Sequence, residues 1–223
     1  MSKTYLLTKS KYIRGLQCLK ALYFDVYSPK LARYSPETLA LFKGGREFEA
    51  TYKATYPNGI ALDKLLGYKM DQYPKATARM LASPGEVVIF EAGFLYNDVL
   101  VLADVVRKSA DGTIDIFEVK NNSEVKDVFR SDAAVQHYVI SHCVDKINTF
   151  NIVGNGGDGQ FIVTNILDYC SQQTAEIEEN IDRFKTMLRN TEPQVETGSH
   201  CDTPYPCPYK HVCARASKQT SLL

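Results

Sequence analysis

The chain has 223 residues, 44% of them apolar and 23% charged, the balance of one large folded domain and not of a disordered or collagen-like chain. Basic and acidic residues number 26 each, so no global field draws the chain onto nucleic acid or membrane, although a local basic groove is not excluded. No apolar run approaches the ~20 residues of a membrane span, and the opening MSKTYLLTKSKYIRGLQC lacks the apolar core of a signal peptide; the expectation is a cytoplasmic protein with no membrane partner.

Residues 9–27 read as one helix, with Ile13, Leu16, Leu19 and Tyr23 at helical spacing, Thr8 as N-cap and Cys18 in the middle. Ser35-Pro36-Glu37 starts a second helix, whose inward stripe is Leu41, Gly45, Phe48 and Tyr52, and Pro57-Asn58-Gly59 breaks it. Residues 60–85 read as one more helix and a loop at Pro84-Gly85. The period then changes. Val87–Tyr96, Val99–Arg107 and Thr113–Asn121 are rich in Val, Ile and Phe and are joined at Asn97-Asp98 and Asp111-Gly112, which predicts three consecutive antiparallel strands.

A helix over 128–144 and a strand over Thr149–Val153 follow. The Gly-rich run Asn155–Gln160 lacks the Lys and Ser/Thr of a phosphate-cradling loop and reads as a connection to the apolar stretch Phe161–Leu167. Residues 172–190 form an amphipathic helix carrying Ile177, Ile181, Phe184 and Leu188, and a Pro- and Cys-rich tail with little periodicity follows Pro193. This order predicts an α/β fold, a central mixed sheet flanked by helices. It is one unit, 1–223, made of an N-terminal helical part (1–85), a sheet and catalytic core (86–167), and a C-terminal helix with the cysteine cluster (168–223).

Within the meander, alternation puts Asp104 on a face with Leu100, Leu102 and Val106. An unpaired acid buried there costs several kcal/mol, so a partner is expected. Glu118 and Lys120, two apart on the next strand, project from one face and come close to Asp104 if the register is right. Paired carboxylates at a sheet edge suit Mg²⁺ or Mn²⁺, and a neighbouring lysine can orient a water or neutralise phosphate charge. Glu49, between Gly45 and Tyr52 on the second helix, supplies a third acid, with Gly45 allowing close approach to the sheet. The alternative is a structural salt-bridge cluster at the sheet rim.

Three of the six cysteines, Cys201, Cys207 and Cys213, sit in the Pro-rich tail, which cannot form a packed core alone. A metal tying them together would offset the ordering entropy. Cys18 is the candidate fourth thiolate for a [4Fe–4S] cluster or a zinc site, with His200 or His211 as its replacement if the metal is zinc. Cys143 and Cys170 have no such neighbours and read as small buried hydrophobes.

The two constellations in order, from Leu7-Thr8-Lys9-Ser10 and Gly15-Leu16-Gln17-Cys18 through Gly45-Arg46-Glu47-Phe48-Glu49, Asp104, Glu118-Val119-Lys120 and Gln136 to the three late cysteines, resemble the PD-(D/E)XK nucleases of the RecB type. Within these the chain looks most like the iron–sulfur branch that includes CRISPR-associated RecB-like exonucleases and the AddB nuclease domain. The resemblance implies a restriction-endonuclease-like core. It implies that Asp104 and Glu118, with Glu49 where the family usually has histidine, hold a catalytic Mg²⁺ or Mn²⁺, that Lys120 assists the attacking water, and that Gln136 helps position the metal site and the DNA. It also implies a [4Fe–4S] cluster on Cys18, Cys201, Cys207 and Cys213 that locks the termini together. Tyr138 is the aromatic nearest the family's tyrosine position, which is Ile140 here, and the Cys201–Cys207 spacing is longer than the family's.

The expected activity is therefore metal-dependent hydrolysis of DNA, single-stranded and end-directed. Lys126 and Arg130, together with Lys9, Lys11 and Arg14, are candidates to track a phosphate backbone, and Tyr138 is a candidate DNA contact. The other readings are a catalytically silent DNA-binding or assembly subunit, for example beside an integrase in CRISPR adaptation, and an electron-transfer iron–sulfur protein.

Overall fold

Thr8 closes a two-residue strand, β1 (Leu7–Thr8), and caps the helix after it, its Oγ1 accepting from the Lys11 N–H at 3.3 Å. The computed structural model describes residues 6–220, with side chains through 215. The single helix expected over 9–27 is two, α1 (Lys9–Gln17) and α2 (Leu19–Tyr27), and Cys18 stands between them in extended conformation. Cys18 thus sits at a corner, not in a helical face.

The next helix, α3 (Pro36–Lys53), starts as predicted at Ser35, whose Oγ accepts from the Thr38 N–H, with proline in its first turn. Its expected inward stripe is inward only from Phe48 onward. Leu41 is 74% exposed, and a Cβ on Gly45 would meet nothing within 4 Å, so Gly45 does not serve a close approach. Gly44 is the glycine that meets the sheet end, its carbonyl accepting from Asn121 Nδ2 at 3.2 Å.

Residues 60–85 hold more than the one helix expected: an edge strand, β2 (Ile60–Ala61), a short α4 (Leu62–Leu66) that ends at Gly67, and α5 (Tyr73–Ala82). Gly67 sits at φ +57°, a conformation glycine adopts without steric cost. The meander is β3 (Val87–Tyr96), β4 (Val99–Lys108) and β5 (Ile114–Val119), followed by α6 (Asp127–Ser141) and β6 (Ile147–Gly157). The Gly-rich run is part of a hairpin: β6 turns at Asp158-Gly159 into β7 (Gln160–Asn165), with a register shift between Asn155 and Gly157. Then come α7 (Leu167–Ser171) and α8 (Thr174–Leu188). The tail has a 3₁₀ turn at Ser199–Cys201 and a helix, α9 (Lys210–Thr220), that its weak periodicity did not announce.

The seven strands form one mixed sheet in the order β2-β3-β4-β5-β6-β7, with β1 beside β4. Pairs β1/β4, β2/β3 and β5/β6 are parallel, and the others antiparallel. Strand β3 occupies the whole of one edge of β4. The other edge is shared: β1 pairs Val99 and Leu100, whereas β5 pairs Val105 to Lys108. Between them β4 has a stretch with no strand beside it, and the candidate site lies there.

One sheet face buries Ile89, Ala92, Phe94, Val101, Ala103, Val106 and Ile116 in a core completed by α1, α5, α6 and α8, including Tyr12, Val135, Ile181 and Phe184. The opposite face carries a smaller core, Phe90, Val105, Phe117, Val119 and Val153, under Phe48 and Tyr52 of α3. Strict alternation fails at one place. Ala103 and Val106 face the same core, as do Ile89 and Ala92, and the ladder pairs Phe90 with Val105 and Ala92 with Ala103 but skips Glu91 and Asp104 between them. Glu91 sits at φ +54°. Asp104 is therefore at a break in both strands, not in the regular row with Leu102 and Val106 that alternation predicts.

Among the described residues no helix is long and apolar enough to cross a membrane. Cys170 is buried as expected, but Cys143, just past the end of α6, is exposed, its Sγ lying against the Leu95 carbonyl.

Candidate functional site

Continuing the β4/β5 register one step beyond Val105 and Phe117 puts Asp104 opposite Glu118. Asp104 Oδ2 accepts from the Val119 N–H at 2.7 Å, so the acid is tied to the strand that carries Glu118-Val119-Lys120. Glu118 is 1% exposed and its carboxylate is densely held. Oε1 accepts from both Lys9 Nζ and Lys120 Nζ at 2.7 Å, and Oε2 from Gln136 Nε2 at 2.8 Å. Lys120 also donates to Asp132 Oδ2 at 2.6 Å, and Lys9 lies 3.7 Å from the same oxygen.

Each contributor arrives for a local reason. Lys9 opens α1 directly after β1, which runs beside β4. Asp132 and Gln136 are four apart on α6 and so share one helical face. Glu118 and Lys120, two apart, leave the same sheet face toward that helix.

A second acidic group adjoins the first. Glu49, Glu91 and Asp104 each offer an oxygen within 4.8 Å of the others'. Lys53, one turn beyond Glu49, donates to Glu49 Oε1 and Glu91 Oε1. Together five carboxylates, Glu49, Glu91, Asp104, Glu118 and Asp132, face three ammonium groups, Lys9, Lys53 and Lys120, a formal excess of two negative charges in a mostly buried place.

The titration behaviour follows. Burial and the neighbouring Glu118 push Asp104 well above the usual carboxylate range, only partly opposed by Lys9. Burial also raises Glu91 against the pull of Lys53, and Glu49 adds to the rise. For Glu118, burial is outweighed by Lys120 and Lys9, which hold it far below its ordinary value. Lys120 runs the other way: burial disfavours its charge, yet Asp132 and Glu118 prevail and keep it firmly protonated.

The structure thus brings Glu49, Asp104, Glu118, Lys120 and Gln136 into one neighbourhood. The acids closest to Glu49 and Asp104 do not include Glu118, however; the third is Glu91. Sequence reasoning missed Glu91, Lys53 and Asp132 and gave Lys9 only a phosphate-tracking role. Two of these carried a usable signal, because Lys53 is four residues after Glu49 and Asp132 four before Gln136 on helices already recognised. Tyr138 is not available to DNA: it is 1% exposed, its hydroxyl near Asn97 and Glu178. Arg130 lies over the Tyr169 ring, and Lys126 stays exposed at the start of α6. Arg14 is engaged by Asp25 and Gln17.

The cysteines collect at the α1/α2 corner. Cys18, Cys207 and Cys213 pack with Ala21, Phe24 and Tyr209. The thiols of Cys207 and Cys213 are raised by burial, and both also feel Cys18 and Cys201. Gln17 Nε2 holds the tail there through the carbonyls of His200 (2.8 Å), Thr203 (3.3 Å) and Tyr205 (2.7 Å). The Tyr209 hydroxyl donates to Asp25 at 2.6 Å. Tetrahedral zinc would draw its thiolates to about 3.8 Å from one another, whereas among the described residues no three cysteines have sulfurs within 4.8 Å of one another.

No protein-family model matches the chain, and no curated protein does. A solved structure described as the crystal structure of SSO0001 superimposes with a TM-score of 0.49 at 13% sequence identity, covering 96% of this chain and 88% of that one. A similarity at that level says nothing about chemistry.

Proposed function

We propose that the chain is a divalent-metal-dependent deoxyribonuclease of the PD-(D/E)XK, RecB-like iron–sulfur type, with a restriction-endonuclease-like core and single-stranded DNA ends as substrate. One observation carries the reading: Asp104 at the unpaired stretch of β4 is bonded to the Val119 N–H, one step past the last β4/β5 ladder pair, beside Glu118, to which Lys120 and Gln136 are both hydrogen-bonded. Hard oxygen donors with excess negative charge fit Mg²⁺ or Mn²⁺. Glu49 and Asp104 would hold the ion, and Glu118 keeps a lone pair on Oε2 with which to join them. A bound divalent ion supplies Lewis acidity toward the phosphate and lowers the pKa of a bound water.

The protein's own groups do the rest. In hydrolysis the water oxygen bonds to phosphorus and gives up a proton to solvent, a phosphorus–sugar oxygen bond breaks, and the departing oxygen takes up a proton from solvent. Lys120 and Lys9, held as cations by Glu118 and Asp132, place positive charge beside the phosphate as its negative charge is redistributed. Gln136 donates one N–H of its Nε2 to Glu118 Oε2 and so orients that carboxylate. Among the described residues its buried Oε1 has no partner.

The family resemblance gives Cys18, Cys201, Cys207 and Cys213 a [4Fe–4S] cluster, in which each thiolate would bind a different iron, and the lack of three sulfurs within 4.8 Å of one another among the described residues favours that over a single zinc ion. A cluster there would fasten the tail to the α1/α2 corner, at the other end of the nine-residue α1 from Lys9 and the acidic site.

Anaerobically purified protein with Mn²⁺ or Mg²⁺ on end-labelled single-stranded DNA tests the proposal, with Lys120→Ala and Glu118→Ala run in parallel. Digestion lost in both variants is the expected result. Uncut DNA with either metal, from wild-type protein showing its cluster absorbance, would leave the silent binding or assembly subunit as the reading.

A further inference from the structure

Glu91 is an acid that nothing in the regular architecture of its strand requires. It interrupts the apolar run Val87–Phe94, it sits at φ +54° where a non-glycine residue is strained, and the ladder skips it. Residues held in such conformations cost of order one to a few kcal/mol and persist where surrounding structure enforces them. Here the break turns Glu91 toward Glu49 of α3 and Asp104 of β4, so that three carboxylates from three elements meet within 4.8 Å.

The surroundings point to a cation. Asp104 is nine-tenths buried; its Oδ2 is taken by the Val119 N–H, and among the described residues Oδ1 accepts no hydrogen bond. Lys53 alone compensates the other two, one ammonium shared between Glu49 Oε1 and Glu91 Oε1. Once ionised, these three carboxylates against the one Lys53 ammonium carry a charge of minus two, which one divalent ion balances. The Lys53 ammonium also lies over the Phe90 ring, 5.7 Å from its centroid.

We infer that Glu91 is a further carboxylate of the divalent-metal site, beside Glu49 and Asp104, and that Lys53 holds the place a second ion would take, so that the site binds a single ion. The inference rests on the metal-binding reading above but concerns residues that reading did not use. Substituting a fixed ammonium for a second ion keeps Glu49 and Glu91 close without a second labile cation, and one methionine in its place would expose two carboxylates to a further metal.

Isothermal titration of the full-length protein with Mn²⁺, without DNA, tests this. The expected results are one Mn²⁺ per chain for wild type, affinity weakened tenfold or more in Glu91→Gln, and two Mn²⁺ per chain in Lys53→Met. Glu91→Asp, which keeps the charge but withdraws it by one methylene, is expected between wild type and Glu91→Gln, and it guards against a Gln variant that fails to fold. Wild-type affinity in Glu91→Gln would overturn the assignment of Glu91. A stoichiometry of one in folded Lys53→Met would overturn that of Lys53, and no binding by wild type would overturn both. Glu91-dependent Mn²⁺ binding by a protein that leaves DNA uncut would keep this inference and remove the nuclease reading. DNA cleavage with unchanged Mn²⁺ binding in Glu91→Gln would do the reverse.

Discussion

Replacing Lys120 with methionine keeps most of the side-chain stem and removes the charge. Its Nζ donates to Glu118 Oε1 at 2.7 Å and to Asp132 Oδ2 at 2.6 Å, and those side chains are 1% and 11% exposed. Removing one partner of a buried ion pair costs about 3–5 kcal/mol, because the other charge is left without compensation. Lys9 remains, at 2.7 Å from Glu118 but 3.7 Å from Asp132. Glu118 therefore keeps a cation in full contact and Asp132 does not, which places the loss at the lower end, about 3 kcal/mol. With an unfolding entropy near 2.1 cal/mol/K per residue, that is a fall in Tm of about 6 °C for a chain of this length.

The deficit also depends on pH. Burial already raises Asp132 against the pull of Lys120 and Lys9, and without Lys120 it rises further. On acidification the native variant then takes up a proton that the unfolded chain does not, so its stability relative to wild type recovers as pH falls. Urea unfolding followed by circular dichroism at pH 8 and pH 5 measures both quantities. Adding Asp132→Asn to Lys120→Met removes the orphaned charge and is expected to restore most of the stability but none of the DNA cleavage. A loss below about 1 kcal/mol at pH 8, or one of equal size at pH 5, would refute this account of the cluster.

Gly15→Ala puts a Cβ 2.7 Å from the buried Phe184 ring where α1 crosses α8, and overpacking of this kind is expected to cost about 1–3 kcal/mol in a urea titration; a stabilised variant would show that the helices are free to separate. His137 is buried against Phe150, among the described residues its Nδ1 has no hydrogen-bond partner, and burial, with His142 adding to it, lowers its pKa from 6.5. Below pH 6.5 the unfolded chain gains a proton before the native one, so stability should fall as pH drops through this range. His137→Phe should flatten the difference in urea midpoint between pH 7.5 and 5.5, and an unchanged slope would assign it to other groups. Gln17→Ala releases three tail carbonyls; limited proteolysis is expected to cut within 198–206 several-fold faster, and equal rates would mean that Tyr209 and Asp25 suffice to hold the tail.

The elements and their faces were largely legible because local physics decides them. Ser35-Pro36 starts a helix wherever it stands, the alternating Val and Ile of the meander demand strands, and Asn97-Asp98, both at positive φ, make the tight turn that fixes the β3/β4 register. That register made Asp104, Glu118 and Lys120 expected neighbours provided β4 and β5 paired in step, whereas Gln136 came only from the family resemblance. What could not be read was whatever depends on contacts distant in sequence. Cys18 breaks a helix that spacing alone would continue, because α1 and α2 must turn to receive the tail. The first turns of α3 carry Leu39, Leu41 and Phe42 outward since the sheet begins only beneath Phe48. Glu91 was hidden for the plainest reason: period-two reading assumes an unbroken strand, and the paired break at Glu91 and Asp104 exists only where two strands, α3 and Lys53 impose it together. Local sequence chose the strands and helices; the charges that meet at the unpaired middle of β4 were settled by the chain closing on itself, since only there does burying one carboxylate become affordable by the presence of another residue's ammonium.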